Sequence, residues 1–195
     1  LSSHFVWLNR GKESLTLDLK FDAGKEILWR LIDRADVFLQ NLAPGAVSRL
    51  GFAPLALQAR RKQLVVCNVS GYGPDGPYAD KKAYDLLIQS EAGVLSVTGT
   101  PETQTKVGIS IVDISAGMYA YSGILTALYQ REKTGKGTRV DVTMFESLAE
   151  WMSHPLNYTH FGGKAPKRSG PDHATIVPYG RFKCGDGSYV MLGIQ

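Results

Sequence analysis

The stretch that decides the fold class is LVVCNVSGYGPDGP, residues 64–77. Residues 64–69 are an almost continuous apolar run, a pattern typical of a β-strand that is covered on both faces. The glycines and prolines at 71–77 interrupt any regular element and predict a loop. Strands buried on both faces occur in parallel sheets that lie between layers of helices. The stretch therefore predicts an α/β protein.

Strand and helix patterns alternate on either side of this stretch. Apolar residues that alternate with polar ones predict a half-buried strand, and apolar residues that recur every three or four positions predict a helix. The predicted elements are a strand at 15–19, a helix from 22, strands at 36–39 and 64–69, helices at 84–91 and 113–131, a strand at 139–143 and a helix at 145–153. Within the long helix, a stripe of small residues predicts the close approach of another helix: Ala116, Ala120, Gly123 and Ala127.

The predicted domain organisation has three parts. Residues 1–154 form part of a large domain, and residues 155–178, which lack periodicity, form a crossover linker. Two short strand patterns around GDGS at 185–188 predict a hairpin, so residues 179–195 begin a smaller second domain. Because the chain starts with Leu1 and stops in an apolar strand-like run, we expect an interior segment of a longer protein.

The composition is that of an ordinary globular protein. Of the 195 residues, 44% are hydrophobic and 21% are charged, which excludes a disordered chain. No apolar run approaches the about 20 residues that span a bilayer, and no signal peptide is visible. Cys67 and Cys184 are too few for a disulfide framework or a metal set, so we expect a cytoplasmic protein without a membrane span.

The net charge of +4 is compatible with a solvated surface, an anionic small ligand or nucleic acid. No nucleic-acid-binding motif is present, so we expect no nucleic-acid partner. Cations recur in or beside loops that follow predicted strands, where open α/β sheets bind phosphorylated ligands. They are Arg10 with Lys12, Arg49, and Lys81 with Lys82. Each of them alone is equally compatible with a solvated surface charge.

Two familiar signatures are incomplete. Gly71, Gly73 and Gly76 have the spacing of a dinucleotide fingerprint, but prolines occupy the place where a phosphate-binding helix would begin. The histidines at 154, 160 and 173 lack a carboxylate or cysteine at zinc-ligand spacing, so we expect no metal. A structured loop and solvated histidines are the preferred interpretations.

Asp113 has two interpretations, because it lies between an apolar run and the long helix. As an N-cap it would accept hydrogen bonds from the first backbone N–H groups, which contributes about 1 kcal/mol. Alternatively, a carboxylate that the helix N-terminus keeps ionised could be a nucleophile that accepts an acyl group.

Several segments resemble the family III CoA-transferases, a family that includes formyl-CoA transferase, carnitine CoA-transferase and α-methylacyl-CoA racemase. The segments are NRGK at 9–12 with LTLDLK at 15–20, ADV at 35–37 with QNLAPG at 40–45 and RLG at 49–51, SGYG at 70–73 with GP at 76–77, IVDISAG at 111–117, and TGKG at 134–137 with VDV at 140–142. They cover nearly the whole chain in order. The resemblance implies a Rossmann-like large domain, a smaller domain and a homodimer of two interlocked chains.

The resemblance also implies a chemistry, in which Asp113 attacks the thioester of an acyl-CoA donor and is converted through a mixed anhydride to an aspartyl-CoA thioester. The implied CoA contacts are Asn9, Arg10, Lys12, Asn41, Leu42, Arg49, Lys82, Tyr84 and Met144. This chain has Gln40 and Leu42 where the family usually has a glutamate and an aromatic residue.

A racemase or epimerase of the same fold is the alternative function. That branch carries a His–Asp acid–base pair where this chain has Tyr84 and Asp85, and a tyrosine titrates near pKa ~10, which disfavours racemisation. The segments at 82–93 and 173–180 look most like the branch that transfers CoA from succinyl-CoA to itaconate, mesaconate or citramalate. Lys106, Arg168 or His173 could hold the distal carboxylate of such an acceptor.

Overall fold

The structure, a computed structural model, describes residues 2–194, and the chain divides after Asp36 into two units. The first unit contains α1 (Ser3–Leu8) and α2 (Asp22–Ile32). The predicted strand at 15–19 is wrong, because residues 12–18 have no regular secondary structure and Leu15 is 62% exposed. Residues 2–36 contain no strand with which this segment could pair, and an alternating pattern forms a strand only beside a partner.

The second unit is organised by a parallel sheet of three strands. They are β1 (Val37–Gln40), β2 (Val65–Ser70) and β3 (Arg139–Thr143), in the order β1–β2–β3. Val65, Val66 and Cys67 of the central strand are fully buried. The predictions of an α/β fold and of a strand covered on both faces are therefore confirmed.

Seven helices lie between the strands of this sheet or follow the last of them in the described part of the chain. They are α3 (Ala46–Arg49), α4 (Pro54–Arg60), α5 (Asp85–Glu91), α6 (Val94–Val97), α7 (Ile111–Thr134), α8 (Met144–Trp151) and α9 (Ser153–Gly162). An antiparallel hairpin of β4 (Tyr179–Lys183) and β5 (Tyr189–Gly193) follows, as the sequence predicts. The first part of the predicted linker is thus helical, and the domain boundaries stay a prediction.

The stripe of small residues on α7 faces the sheet. Ala116 and Ala120 are buried in one cluster with Cys67 of β2 and Val142 of β3. A Cβ atom on Gly123 would lie only 2.9 Å from Cγ1 of Val140. The small residues thus allow the close approach of a strand, and of α8 at its first residue, Met144, which packs against the same cluster.

Among residues 2–194, α7 is also the one helix whose length and composition would allow it to cross a membrane. Its most apolar window has a mean hydropathy of 1.3, and 28% of that window is buried. The helix that packs on a sheet in a globular protein passes the same test, and α7 contacts β2, β3, α5 and α8. Its apolar character is thus weak evidence for a membrane.

Candidate active site

The N-termini of three helices of the second unit share one hydrophobic cluster. Ile88 of α5, Val112 of α7 and Leu148 of α8 are buried in it together with Val94. The beginning of α8 is also bound to the loop after β2, because the N–H of Phe145 donates to the carbonyl of Gly71 at 3.0 Å. The cluster therefore places the first turns of α5, α7 and α8 beside the carboxyl ends of β2 and β3.

Asp113 is the third residue of α7 and is exposed. Ser110, and not Asp113, occupies the N-cap position, and the N–H of Ile114 donates to the carbonyl of Ser110 at 3.0 Å. The interpretation of Asp113 as an N-cap is therefore wrong. The reason is that α7 begins at Ile111, so residues that read as the end of an apolar run already form its first turn.

Asp85, in the first turn of α5, performs the capping instead. Its Oδ1 accepts a hydrogen bond from the N–H of Val112 at 2.8 Å, and its Oδ2 accepts one from Nε2 of Gln89 at 2.6 Å. Gln89 is fully buried, and its Oε1 accepts a hydrogen bond from the N–H of Val107 at 2.8 Å. Asp85 and Gln89 thus fix both the start of α7 and the segment that leads into it.

The environment of Asp113 raises the pKa of its carboxyl group above the ordinary value. Desolvation by the surrounding protein is the larger cause, and the negative charge of Asp85 adds to it. The N-terminus of α7 acts in the opposite direction, because the helix dipole stabilises a carboxylate in the first turn. The net direction is upward, so this exposed carboxylate is more basic than an ordinary aspartate and can act as a nucleophile or a base.

Lys82 and Tyr84 lie in the segment that leads into α5. The residue between them, Ala83, packs against the shared cluster, and a Cβ atom on Gly71 would collide with its side chain. Gly71 is therefore required for the close approach of this segment to the end of β2. Lys82 and Tyr84 are exposed, and Tyr84 directly precedes the first turn of α5.

Lys81 is held by other groups, although it is the direct neighbour of Lys82. It forms an ion pair with Glu91, and its Nζ lies 4.2 Å from the ring centroid of Tyr78. The hydroxyl of Tyr72 donates to Oε2 of Glu91 at 2.6 Å. The hydrogen bonds from Lys81 and Tyr72 lower the pKa of Glu91. The loop after β2 is thereby fastened to the last turn of α5, and no helix begins within its glycines, as the sequence predicts.

Met144 is the first residue of α8 and is partly buried. It packs both against the cluster that contains Cys67 and against the cluster that contains Val112. It therefore lies beside the cluster that contains Val112, the residue before Asp113. The structure brings Asp113, Tyr84 and Met144 to the starts of three helices that share a core.

The remaining predicted CoA contacts lie on two separate parts of the chain. Asn41 and Leu42 follow β1, and Nη1 of Arg49 donates to the carbonyl of Pro44 at 3.2 Å. In the first unit, Nδ2 of Asn9 donates to the carbonyl of Phe5 at 3.1 Å. Arg10 and Lys12 are exposed in the turn after α1, so the prediction that they follow a strand is wrong.

The three candidates for holding a distal carboxylate all have backbone partners. Arg168 donates to the carbonyls of Thr100 and Pro101, each at 2.8 Å, and Nζ of Lys106 donates to the carbonyl of Val107 at 3.1 Å. Nδ1 of His173 accepts hydrogen bonds from the N–H groups of Thr175 and Ile176 at 3.1 and 3.0 Å. Over residues 2–194, no three histidine, cysteine or acidic side chains form a group that could hold a metal ion.

Comparison with known proteins gives a consistent result. The model of CoA-transferase family III matches residues 1–195. An acetyl-CoA:oxalate CoA-transferase of Acetobacter aceti is 38% identical over 192 residues, which are 97% of this chain and 49% of that protein. A formyl-CoA:oxalate CoA-transferase of Streptomyces avermitilis is 44% identical over 212 residues, which cover 100% of this chain and 51% of that protein. The human succinyl-CoA:glutarate CoA-transferase is 34% identical over 98% of this chain and 44% of its own length.

A solved structure agrees with these sequence matches. A CaiB/BaiF family protein from Brucella suis superposes with a TM-score of 0.85 and 36% identity, over 93% of this chain and 48% of that one. The chain thus spans about half the length of the curated relatives and of the solved structure that it matches.

Proposed function

Because the chain belongs to CoA-transferase family III, whose members use CoA thioesters as substrates, we propose that it transfers CoA from an acyl-CoA to a short dicarboxylate through Asp113. The observation that carries the proposal is that the carboxylates of Asp85 and Asp113 have different roles at the start of α7. Asp85 accepts the N–H of Val112, so the Asp113 carboxylate is exposed and has no capping role. A carboxylate that attacks a thioester needs this freedom, together with the raised basicity that Asp113 has.

The proposed reaction begins when the ionised Asp113 carboxylate attacks the thioester carbonyl of the donor. The C–S bond breaks, which gives a mixed anhydride and CoA thiolate. The thiolate then attacks the aspartyl carbonyl and expels the donor as its free carboxylate, which leaves an aspartyl-CoA thioester. The acceptor carboxylate attacks this thioester, the thiolate attacks the acceptor carbonyl of the new anhydride, and Asp113 is regenerated. No proton or electron is gained or lost overall.

The predicted cations suit the phosphates of CoA in this proposal. Arg10, Lys12, Arg49 and Lys82 would form charge-assisted hydrogen bonds with the 3′-phosphate and the diphosphate. Asn9, Asn41 and Leu42 would contact the adenine or the pantetheine, and Tyr84 and Met144 would line the path to Asp113. The arrangement of Tyr84 and Met144 at the starts of α5 and α8 supports their assignment.

We further propose succinyl-CoA as donor and itaconate or mesaconate as acceptor, in a cytoplasmic homodimer. Relatives of the chain are named for dicarboxylate acceptors, namely oxalate, glutarate and, at 32% identity in Chloroflexus aurantiacus, D-citramalate. Oxalate and glutarate are therefore the acceptors against which itaconate and mesaconate should be compared.

The test is to trap the covalent intermediate in the full-length enzyme. The enzyme is incubated with succinyl-CoA, treated with hydroxylamine and digested, and the modified peptide is sequenced by mass spectrometry. We expect a hydroxamate on Asp113 that is absent without acyl-CoA and in Asp113→Asn. An enzyme that turns over acyl-CoA while Asp113 stays unmodified would refute the proposal. Deuterium incorporation at the α-carbon of an acyl-CoA in D2O would instead support the racemase alternative.

A further inference from the structure

Three polar side chains in register form a ladder across the parallel sheet. Gln40 of β1 is paired with Asn68 of β2, which is paired with Asp141 of β3. Nε2 of Gln40 donates to Oδ1 of Asn68 at 3.0 Å, and Nδ2 of Asn68 donates to Oδ1 of Asp141 at 2.9 Å. Nε of Arg139 donates to the same carboxylate, with distances of 2.9 and 2.7 Å to its two oxygens. At the other end, Oε1 of Gln40 accepts a hydrogen bond from the N–H of Leu42 at 2.8 Å.

The two ends of this ladder determine the orientation of both amides. An ionised Asp141 only accepts hydrogen bonds, so Asn68 must present its NH2 group to Asp141 and its oxygen to Gln40. The N–H of Leu42 only donates, so Gln40 must present its oxygen to Leu42 and its NH2 group to Asn68. Both conditions agree with one arrangement, in which every donor faces an acceptor. A carboxylate at position 40 could accept from Leu42 but could not donate to Asn68.

We propose that Gln40 is a positioning residue for CoA binding, which it performs by holding the backbone of Asn41 and Leu42. This inference rests on the proposed function, in which Asn41 and Leu42 contact CoA. Both residues are exposed directly after β1, where the chain leaves the carboxyl edge of the sheet. The hydrogen bond from Leu42 to Gln40 ties this exposed turn to the strand. Asn68, Asp141 and Arg139 then keep the Gln40 amide in the orientation that accepts it.

The test removes the acceptor for Leu42. Gln40→Met keeps a side chain of similar length but can neither accept from Leu42 nor donate to Asn68, so the exposed turn loses its bond to β1. We expect the KM for the CoA thioester and the Kd for CoA to rise about tenfold, which corresponds to the loss of one hydrogen bond of about 1.4 kcal/mol. The kcat should stay unchanged, because Asp113 and its surroundings are untouched.

The double variant Gln40→Glu with Asp141→Asn is the conservative counterpart, because it keeps the acceptor for Leu42 and should retain binding. Asn68 would then donate to the introduced glutamate and accept from the introduced asparagine, whose oxygen would accept from Arg139. We expect its KM and Kd to equal the wild-type values. Gln130→Glu, at an exposed position of α7, is the matched control and should change neither constant.

The outcomes separate this inference from the function on which it rests. If the wild type binds CoA and forms the Asp113 adduct but Gln40→Met leaves KM and Kd unchanged, only the positioning role is overturned. A fall in kcat with unchanged KM, or a double variant that folds but binds CoA more weakly than the wild type, also overturns it. If Gln40→Met does not fold, the double variant decides the question by the same CoA titration, because it leaves the bond from Leu42 to residue 40 unchanged. A wild type that neither binds CoA nor is acylated refutes the proposed function and this inference together.

Discussion

Replacement of Asp85 by asparagine should change both the stability and the pH dependence of the enzyme. In the wild type, one oxygen of Asp85 accepts from Val112 and the other accepts from Gln89. An asparagine can accept from only one of these donors. If it accepts from Val112, its NH2 group faces the NH2 group of Gln89, and a Gln89 turned to accept would present its own NH2 group to the N–H of Val107.

The cost follows from the burial of Gln89, which is 0% exposed. One hydrogen bond in the chain from Val107 to Val112 must be lost, and a buried donor is left without an acceptor whichever way the amides turn. Such a loss costs about 1–3 kcal/mol. We therefore expect the free energy of unfolding of Asp85→Asn to fall by about that amount in urea titrations at neutral pH.

The effect on acylation has a definite sign. The negative charge of Asp85 contributes to the raised pKa of Asp113, after desolvation, so its removal lowers that pKa. Asp113 must be ionised to attack, so the rate of hydroxamate formation rises with pH through its pKa. In Asp85→Asn the acidic limb of this profile should move to lower pH, and the plateau rate should fall because a less basic carboxylate is a weaker nucleophile.

The assay measures the initial rate of Asp113 hydroxamate formation with saturating succinyl-CoA across the acidic range. Asp22→Asn is the matched control, because it removes one negative charge from the first turn of α2, and the Asp22 side chain is 100% exposed. It should shift neither the acidic limb nor the plateau. An acidic limb of Asp85→Asn that stays in place or moves to higher pH would refute the assignment of Asp85 as a charge that acts on Asp113.

Three further predictions concern the same site. Lys82→Ala should raise the KM for acyl-CoA about tenfold, because it removes a charge-assisted hydrogen bond to CoA. Lys81 forms an ion pair with Glu91, so Lys81→Ala should raise the KM less. Equal effects of the two substitutions would contradict the assignment of Lys82. Asp113→Asn should be more stable than the wild type at neutral pH. The pKa of Asp113 is raised in the folded state, so the wild type loses stability as the pH rises from the unfolded-state pKa of about 3.9 through the folded-state pKa. A difference in the free energy of unfolding that does not change with pH would contradict this. Gly117→Ala should stabilise α7 by about 1 kcal/mol, since an added Cβ meets nothing within 4 Å. It should nevertheless slow acylation, because Gly117 lies one turn from Asp113. Gly162→Ala is the control and should leave acylation unchanged, and unimpaired acylation in Gly117→Ala would be the contrary result.

The sequence predicts best those elements whose pattern is a direct result of burial. The strands at 64–69 and 139–143 are found within one residue of their predicted ends, since a buried strand must be apolar where it is covered. The prediction of a strand at 15–19 fails because an alternating pattern indicates which face of a strand would be buried, but not whether a second strand is present to pair with it. The start of α7 is misplaced for a similar reason, because the group that caps it, Asp85, lies 27 residues earlier in the chain.

The same distinction between local and distant partners applies to the site. Asp113 can be proposed from a short motif, because the motif and the residue are contiguous. Gln89 carries a local signal, since it lies four residues after Asp85 and such pairs face each other on a helix, but its bond to Val107 is not visible in any local pattern. The ladder of Gln40, Asn68 and Asp141 depends on the register of three strands, which the sequence alone does not specify.

In the proposed function, the arrangement of Asp85 and Asp113 resolves a conflict that any nucleophile at a helix N-terminus faces. The first N–H groups of a helix have no partner within the helix, and the nearest carboxylate is the natural group to accept them. A carboxylate that does so has its lone pairs occupied and its pKa lowered by the hydrogen bonds, and both effects weaken its attack on a carbonyl. In this fold the acceptor is Asp85 of α5, whose side chain also bonds the buried Gln89. Desolvation raises the pKa of Asp113, and the charge of Asp85 adds to this effect. In the proposed function, the group that satisfies the start of α7 is therefore also one that would make Asp113 a stronger nucleophile.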